Sequence, residues 1–316
     1  MVDLSVVIVS YNTRELLRDC LRSVFRSEDG GGSAERRGST HWPFEVWVVD
    51  NASTDGSAEM VRQEFPQAKL IANGENRGFA AASNQAIEQC SGRYVLLLNP
   101  DTIVLDDALG SLVRFMDAHP RVGVAGARLV NRDGSFQHSA FRFPTLWMSL
   151  FDFYSPNHRI TNSRLNGRYP VRDYDHPFPI DHPLGACLMV RRETIQQVGL
   201  LDERFFMYCE EVDWCLRIKR AGWEIYYVPE ARVVHYVAKS TNQFREAMFL
   251  QLHKSRSLLF AKHYNAGFQW AARQIVRLGL LGEVARTLFR RWRGLISYQE
   301  AQQKLEAYRR VFWGRF

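Results

Sequence analysis

Apolar positions in this chain follow two alternating periods. Leu4–Ser10 is apolar and β-branched almost throughout, the pattern of a strand covered on both faces. Leu16, Leu17, Cys20, Leu21 and Val24 then recur at helical spacing behind Thr13, a good N-cap. The alternation repeats. A strand is predicted at 45–49, a helix over 56–65 entered through Ser53 or Thr54, a short strand at 69–72, a helix from about Asn76 to Cys90 and a strand at 94–98. Such βαβ order predicts a mainly parallel sheet with helices on both faces, an α/β Rossmann-like fold. Further on the spacing predicts a helix over 106–118 stopped by His119-Pro120 and a strand at 122–126. A strand at 185–190 leads into a helix over 191–199 closed by Gly199. A helix over 210–221 closes at Gly222, and strands follow at 223–229 and 231–236.

Two stretches break the rhythm. Residues 27–43 are polar and glycine-rich, a loop. Residues 131–183 carry prolines at 144, 156, 170, 177, 179 and 183, and read as an excursion over the sheet that shapes an acceptor pocket. From 243 onward the pattern is helical, first over 243–263. Later, Val284, Leu288, Trp292 and Leu295 form one stripe and Leu305, Tyr308 and Phe312 another.

The strand ends carry the candidate chemistry. Tyr94–Leu98 is a continuous apolar run that Pro100 cannot extend, so Asn99 and Asp101 are left at its carboxyl end. Asp50 ends the 45–49 strand in the same way. Ligands of open α/β sheets bind at that end, where an acid can hold a divalent metal on a phosphate-bearing substrate. Asn-Pro-Asp-Thr is also good turn chemistry. Arg77 and Gly78 open a helix whose positive end suits a phosphate, although a surface arginine at a loop-to-helix junction accounts for them too. Glu210, Glu211 and Asp213 crowd the first turn of a helix, a place that the macrodipole alone favours for acids. His235 ends a strand and gains meaning only by converging with Asp101.

Composition narrows the classes. The 316 residues, 46% hydrophobic and 24% charged, suit one large or two modest globular domains. The start shows no signal-peptide pattern and no apolar run nears the ~20 residues that span a bilayer, so a cytoplasmic location is expected. Five cysteines without a CxxC pair are the free thiols of a reducing compartment. The net charge of +7 sits in the tail: 13 Lys+Arg against 3 Asp+Glu from Lys254 onward, 28 against 31 before it. There Arg290, Arg291, Arg293, Arg309, Arg310 and Arg315 flank the aromatic stripes, as in helices lying on the inner face of a membrane. Packing on the protein's own core explains the 243–263 helix at least as well, whereas over 284–316 the membrane is the better reading; a hydrophobic tail stripe equally suits a homo-oligomer interface. Nucleic acid is the poorer partner, since lipid suits aromatic and aliphatic stripes better. The first strand runs into Ser-Tyr-Asn and not a GxGxxG turn, which argues against a dinucleotide-dependent oxidoreductase.

Taken together, the ordered set Val6–Asn12, Val48–Asp55, Asn76–Phe79, Leu98–Asp101, Gly185-Ala186, Glu210–Asp213 and His235 resembles the family 2 inverting glycosyltransferases of GT-A fold. Within these it is most similar to the bacterial rhamnosyltransferase-like branch. The resemblance covers about residues 3–242, which it implies to be the GT-A domain, with 243–316 a basic helical extension. It implies that Ser10, Tyr11, Asp50 and Asn51 hold the nucleoside, and that Arg77, Gly78, Asn84 and Asn99 lie near the diphosphate or sugar. Asp101 and His235 would hold Mg²⁺ or Mn²⁺, with Asn99 standing where many relatives have a first Asp. Gly185, Ala186 and Asp213 would meet the acceptor. Glu211 would be the general base, with Glu210 the alternative. The implied donor is dTDP-L-rhamnose, or otherwise a UDP- or GDP-sugar, and the implied acceptor is a lipid-linked saccharide of the cell envelope. A lipid- or nucleic-acid-binding module without catalysis is the alternative of a different class.

Overall fold

A computed structural model describes residues 2–26, 43–154, 157–236 and 245–314. The loop expected over 27–43, apart from Pro43, and the Lys239–Thr241 segment lie outside the described residues. The chain opens β1 (Leu4–Ser10), α1 (Arg14–Arg26), β2 (Phe44–Asp50), α2 (Ser57–Glu64), β3 (Lys69–Ala72), α3 (Phe79–Gln89) and β4 (Tyr94–Leu98). It continues β5 (Thr102–Val104), α4 (Ala108–Ala118), β6 (Val122–Val130), β7 (Ala140–Phe141), α5 (Leu146–Phe151) and α6 (His158–Thr161). Then come β8 (Phe178–Pro179), β9 (His182–Pro183), β10 (Cys187–Arg191), α7 (Arg192–Val198), α8 (Glu210–Arg220) and β11 (Glu224–His235). Three helices close it: α9 (Arg245–His263), α10 (Ala266–Trp292) and α11 (Tyr298–Trp313).

The main sheet runs β3-β2-β1-β4-β10-β6-β11-β5, with β8 added beside β11. Its first four strands are mutually parallel, as the βαβ alternation requires. β10 then enters antiparallel between β4 and β6, so the expected parallel sheet is mixed in its second half. β4 is buried at all five positions because sheet neighbours and helices cover it on every side. Leu17, Leu21 and Val24 of α1 and Leu112 and Met116 of α4 share one core with Val6, Ile8, Leu96 and Met189 of the strands. Each such aliphatic side chain, fully buried, contributes roughly 1.5–3 kcal/mol.

Three local expectations change. The two strands predicted at 223–229 and 231–236 are one, because a register shift between Val228 and Arg232 takes up Pro229, which cannot donate to a ladder. Neither Ser53 nor Thr54 caps α2: Gly56 is the N-cap, left-handed at φ 82°, and Asp55 accepts from Ser57 N at 3.0 Å. The second oxygen of Asp55 accepts from Arg14 N at 2.8 Å, so one carboxylate serves the starts of α1 and α2. Burial acts to raise the Asp55 pKa, but those hydrogen bonds hold it below the usual range.

The chain divides into two compact units. The first comprises residues 1–141, 171–204 and 210–240 and holds the whole sheet; the second comprises 142–170, 205–209 and 241–316. The helical unit therefore takes in more than the segment after 243. Inside it Leu259, Phe260, Ala272, Leu280 and Val311 are buried, Tyr264 Oη donates to the Pro144 carbonyl at 2.9 Å, and Ser255 Oγ donates to Met207 O at 2.7 Å. The ring of Phe153 lies so close over Gly279 that an added Cβ would clash. The two expected stripes differ. Tyr308 meets Phe249 at a 5.7 Å ring distance, whereas Leu288, Trp292 and Leu295 are exposed, Trp292 by 78%. No helix among the described residues is long and apolar enough to cross a membrane.

Candidate active site

The carboxyl ends of β1, β2 and β4 carry the residues that the sequence singles out. At the end of β1, Ser10 Oγ and Thr13 Oγ1 share a hydrogen bond of 2.9 Å, and Tyr11 is exposed. Asn12 adopts φ 52°, which lets Oδ1 accept from Thr54 N at 2.8 Å while its own N–H meets Ser53 Oγ at 2.9 Å. Asp50, 3% exposed, accepts from Ser53 N at 3.1 Å through Oδ2. Its Oδ1 is buried with no partner among the described residues. A buried carboxylate oxygen left unmatched is costly unless a ligand donor reaches it.

Asn51 is fully engaged. Its amide donates to Asn76 Oδ1 (2.8 Å) and the Gly78 carbonyl (3.2 Å), and its Oδ1 accepts from Asn73 Nδ2 (3.1 Å) and Arg77 N (3.0 Å). It thus shapes the 73–78 loop. Gly78, at φ 81°, turns that loop into α3. The Arg77 side chain is exposed and has no ion-pair partner among the described residues. Asn84 looks the other way: buried on α3, it bonds Leu201 N (3.1 Å), Leu201 O (2.9 Å) and Glu203 Oε1 (3.1 Å).

Asp101 and His235 converge. Their strands make the meeting possible, since β11 pairs antiparallel with β5 and sets His235 opposite Thr102. His235 Nε2 lies 3.5 Å from Asp101 Oδ1, with both side chains under a tenth exposed. Tyr236 N donates to the Asp101 carbonyl at 2.9 Å. The turn reading of 99–102 holds at the same time, because Thr102 Oγ1 donates to Asn99 O at 2.7 Å. Asn99 N donates to Ala186 O at 3.0 Å, fixing this turn to the residue before β10.

No motif or periodicity marks Gln137, whose Nε2 sits 3.2 Å from His235 Nδ1. Its Oε1 is buried without a partner among the described residues. With the amide turned over, Oε1 would accept from Nδ1–H and leave the Nε2 lone pair facing Asp101, the usual arrangement behind a metal-bound histidine. Asp101 and His235 thus fit a divalent cation. Among the described residues no group of three or more His, Cys, Asp or Glu gathers to cage one. A two-ligand site of this kind suits a cation that completes its shell with substrate phosphates and water.

Two acids start α8. Glu210 is 7% exposed and its Oε2 has no partner among the described residues; burial, and then the charge of Glu211, push its pKa well up. Glu211 is half-buried, and burial raises its pKa as well. A Cβ built on Gly185 would lie 3.6 Å from Glu211 Cγ, so this glycine stands directly beside the acid. Asp213 points inward. It is fully buried and accepts from Arg217 Nε at 2.9 Å, and the same guanidinium donates to the carbonyls of Val198 and Leu200, at 2.7 Å each. That pair holds α8 against the end of α7 and leaves Asp213 no path to an acceptor.

Comparison with known proteins settles the family. The Glycosyl transferase family 2 profile matches residues 5–199. The chain is a family 2 glycosyltransferase. An N-acetylglucosaminyl-diphospho-decaprenol L-rhamnosyltransferase of Mycobacterium tuberculosis is 31% identical to this transferase over 255 residues, 76% of this chain and 81% of that protein. A dTDP-rhamnosyl transferase of Shigella flexneri is 24% identical over 61% of this chain and 60% of that protein. The transferase therefore falls in the rhamnosyltransferase-like branch. Its fold is similar to that of a mannosyltransferase from Pyrobaculum calidifontis, solved with GDP-Man and Mn²⁺ (TM-score 0.58, 20% identity, 99% of this chain and 88% of that one). It also resembles GalNAc-T7, solved with UDP, GalNAc and Mn²⁺ (TM-score 0.54, 16% identity, 75% of this chain and 44% of that one).

Proposed function

We propose that the transferase moves L-rhamnose from dTDP-L-rhamnose to a saccharide on a lipid diphosphate, with inversion at the anomeric carbon. The observation that carries the reading is the approach of Asp101 and His235 at strand ends in the same unit as Glu211 beside Gly185. Support for donor and acceptor comes from the rhamnosyltransferases to which the chain is similar.

In this reading Asp50, through its unmatched Oδ1, accepts from a hydroxyl or N–H of the nucleoside, with Ser10, Tyr11 and Asn51 around it. Arg77 and the backbone at Gly78 face the diphosphate. Mg²⁺ or Mn²⁺, held by Asp101 and His235, supplies Lewis-acid stabilisation of the departing diphosphate when bound. Glu211 takes the proton of the acceptor hydroxyl as that oxygen forms its bond to the anomeric carbon. The bond from that carbon to the diphosphate oxygen breaks, and its electron pair leaves with dTDP. Glu210, harder to ionise, stays neutral and lets its neighbour carry the charge. Gly185 and Ala186 leave room for the acceptor. The exposed Trp270, Leu288, Phe289, Trp292 and Leu295, interleaved with Arg290, Arg291 and Arg293, rest on an anionic membrane surface where a lipid-linked acceptor resides. The test is a transfer assay with dTDP-L-rhamnose, UDP-glucose and GDP-mannose on lipid-diphosphate-linked N-acetylglucosamine. Rhamnosyl transfer with inversion is expected, and transfer from the other donors alone would replace the donor assignment.

A further inference from the structure

The helical unit carries an open cavity of about 310 Å³ to which the transfer chemistry above gives no role. Its charged side chains are cationic. Arg256 comes from α9, and Arg273 and Arg277 come from successive turns of one face of α10. Among the described residues no acidic side chain lines it. Arg256 is paired with Asp152, and Arg277 donates to the Phe312 carbonyl at 3.3 Å with its guanidinium 5.4 Å from the ring of that residue. Arg273 has no ion-pair partner among the described residues.

A second, independent feature faces the same space. His253 lines the cavity at 6% exposure, held by the rings of Phe249 (4.6 Å) and Phe153 (6.3 Å). Its ring nitrogens make no hydrogen bond among the described residues. Burial, and then the charge of Arg256, lower its pKa to about 4, so at neutral pH it presents an uncharged N–H. An N–H donor facing a cavity that three arginines also line is an arrangement that suits an anion. Phe260, Val276 and Phe312 form an apolar part of the wall, and Ser149, Ser257 and Gln269 add neutral polar groups. At about 310 Å³ the space exceeds what one phosphate fills and reaches the lower size of a ligand pocket.

We propose that this cavity seats a lipid diphosphate, the arginines and His253 holding phosphate oxygens and the apolar wall taking the first carbons of the chain. The proposal rests on the reading of the acceptor as lipid-linked. The geometry that carries it lies wholly within the helical unit.

The test is calorimetric titration of the full chain with farnesyl diphosphate in EDTA, which removes the metal-dependent site from play. The wild type and Asp101→Asn are expected to bind alike. Arg273→Gln is expected to bind about tenfold to a hundredfold more weakly, the loss of one charge-assisted contact. Its unchanged melting temperature would mark that loss as local, since Arg273 is exposed and unpaired among the described residues. Farnesol and inorganic pyrophosphate are each expected to bind at least about tenfold more weakly than farnesyl diphosphate. Equal binding by Arg273→Gln and wild type would overturn the proposal. So would pyrophosphate binding as tightly as farnesyl diphosphate, which means a bare anion site, or phosphatidylglycerol displacing it equally well, which means bulk phospholipid. Intact farnesyl diphosphate binding without any rhamnosyl transfer would leave this site standing and sink the proposed reaction instead.

Discussion

His235 Nε2 stands 3.5 Å from Asp101 Oδ1, although 134 residues of chain separate them. The antiparallel pairing of β11 with β5 closes that separation, and β5 is only three residues long. Gln137 supports the imidazole from its other nitrogen. If these groups hold a divalent cation, Asp101→Asn should abolish the metal-dependent part of nucleotide binding. Gln137→Leu should weaken Mn²⁺ affinity about tenfold to a hundredfold, the scale of a lost outer-shell partner. Mn²⁺ titrations in the presence of dTDP check both.

Glu211→Gln removes the proposed base and keeps its shape. The turnover number should fall roughly 10²–10⁴-fold while dTDP affinity is unchanged. Because burial raises the Glu211 pKa, the wild-type rate should decline with falling pH at a higher pH than an ordinary carboxylate would give. The base acts only when deprotonated, so activity is lost as pH falls through the raised pKa. Initial rates over pH 4–9 measure it; a Glu211→Gln enzyme of full activity would remove the assignment.

Glu210 predicts a stability effect of definite sign. Its folded-state pKa is raised by burial, so folding disfavours its ionised form. The native state is undisturbed by it below the unfolded pKa of about 4.3, and loses stability as pH rises through that value towards the folded pKa. Glu210→Gln should therefore melt higher than wild type at pH 7, with the difference vanishing near pH 4. Melting curves at the two pH values decide it, and a lower melting point at pH 7 would show that Glu210 is ionised and paired.

The basic aromatic surface predicts salt-sensitive membrane binding. Arg290→Glu, Arg291→Glu and Arg293→Glu together should weaken binding to phosphatidylglycerol vesicles by at least about a hundredfold at physiological salt. Co-sedimentation measures this, with neutral phosphatidylcholine vesicles as the control. Equal binding to both lipids would point instead to a protein partner for the exposed face.

The first half of the sheet was legible because β1, β2 and β4 are largely buried on both faces and the helices between them are amphipathic. β3 and β4 fall where the apolar runs end, at 69–72 and 94–98. β11 was legible only as two pieces, since Pro229 normally ends a strand and only pairing with β6 carries the chain past it. The acids at strand ends and His235 were visible in the pattern, but the amide behind the histidine was not. Gln137 lies in a proline-rich stretch without periodicity, and nothing local ties it to His235. Asp213 shows the opposite limit. The resemblance set it against the acceptor, yet Arg217 four residues on draws it inward, a choice made by tertiary burial. The cationic cavity was hidden too, because Arg256, Arg273 and Arg277 belong to two helices whose docking no local pattern reveals.

The measurement that tests the central claim most directly is thermal unfolding with dTDP, UDP and GDP, each with and without Mn²⁺, in wild type and Asp101→Asn. A nucleotide at about 100 times its dissociation constant should add ~2.7 kcal/mol to the folded state. The account predicts a shift that needs Mn²⁺, is largest with dTDP, and disappears in Asp101→Asn. A shift of equal size without metal, or one retained in Asp101→Asn, would contradict it.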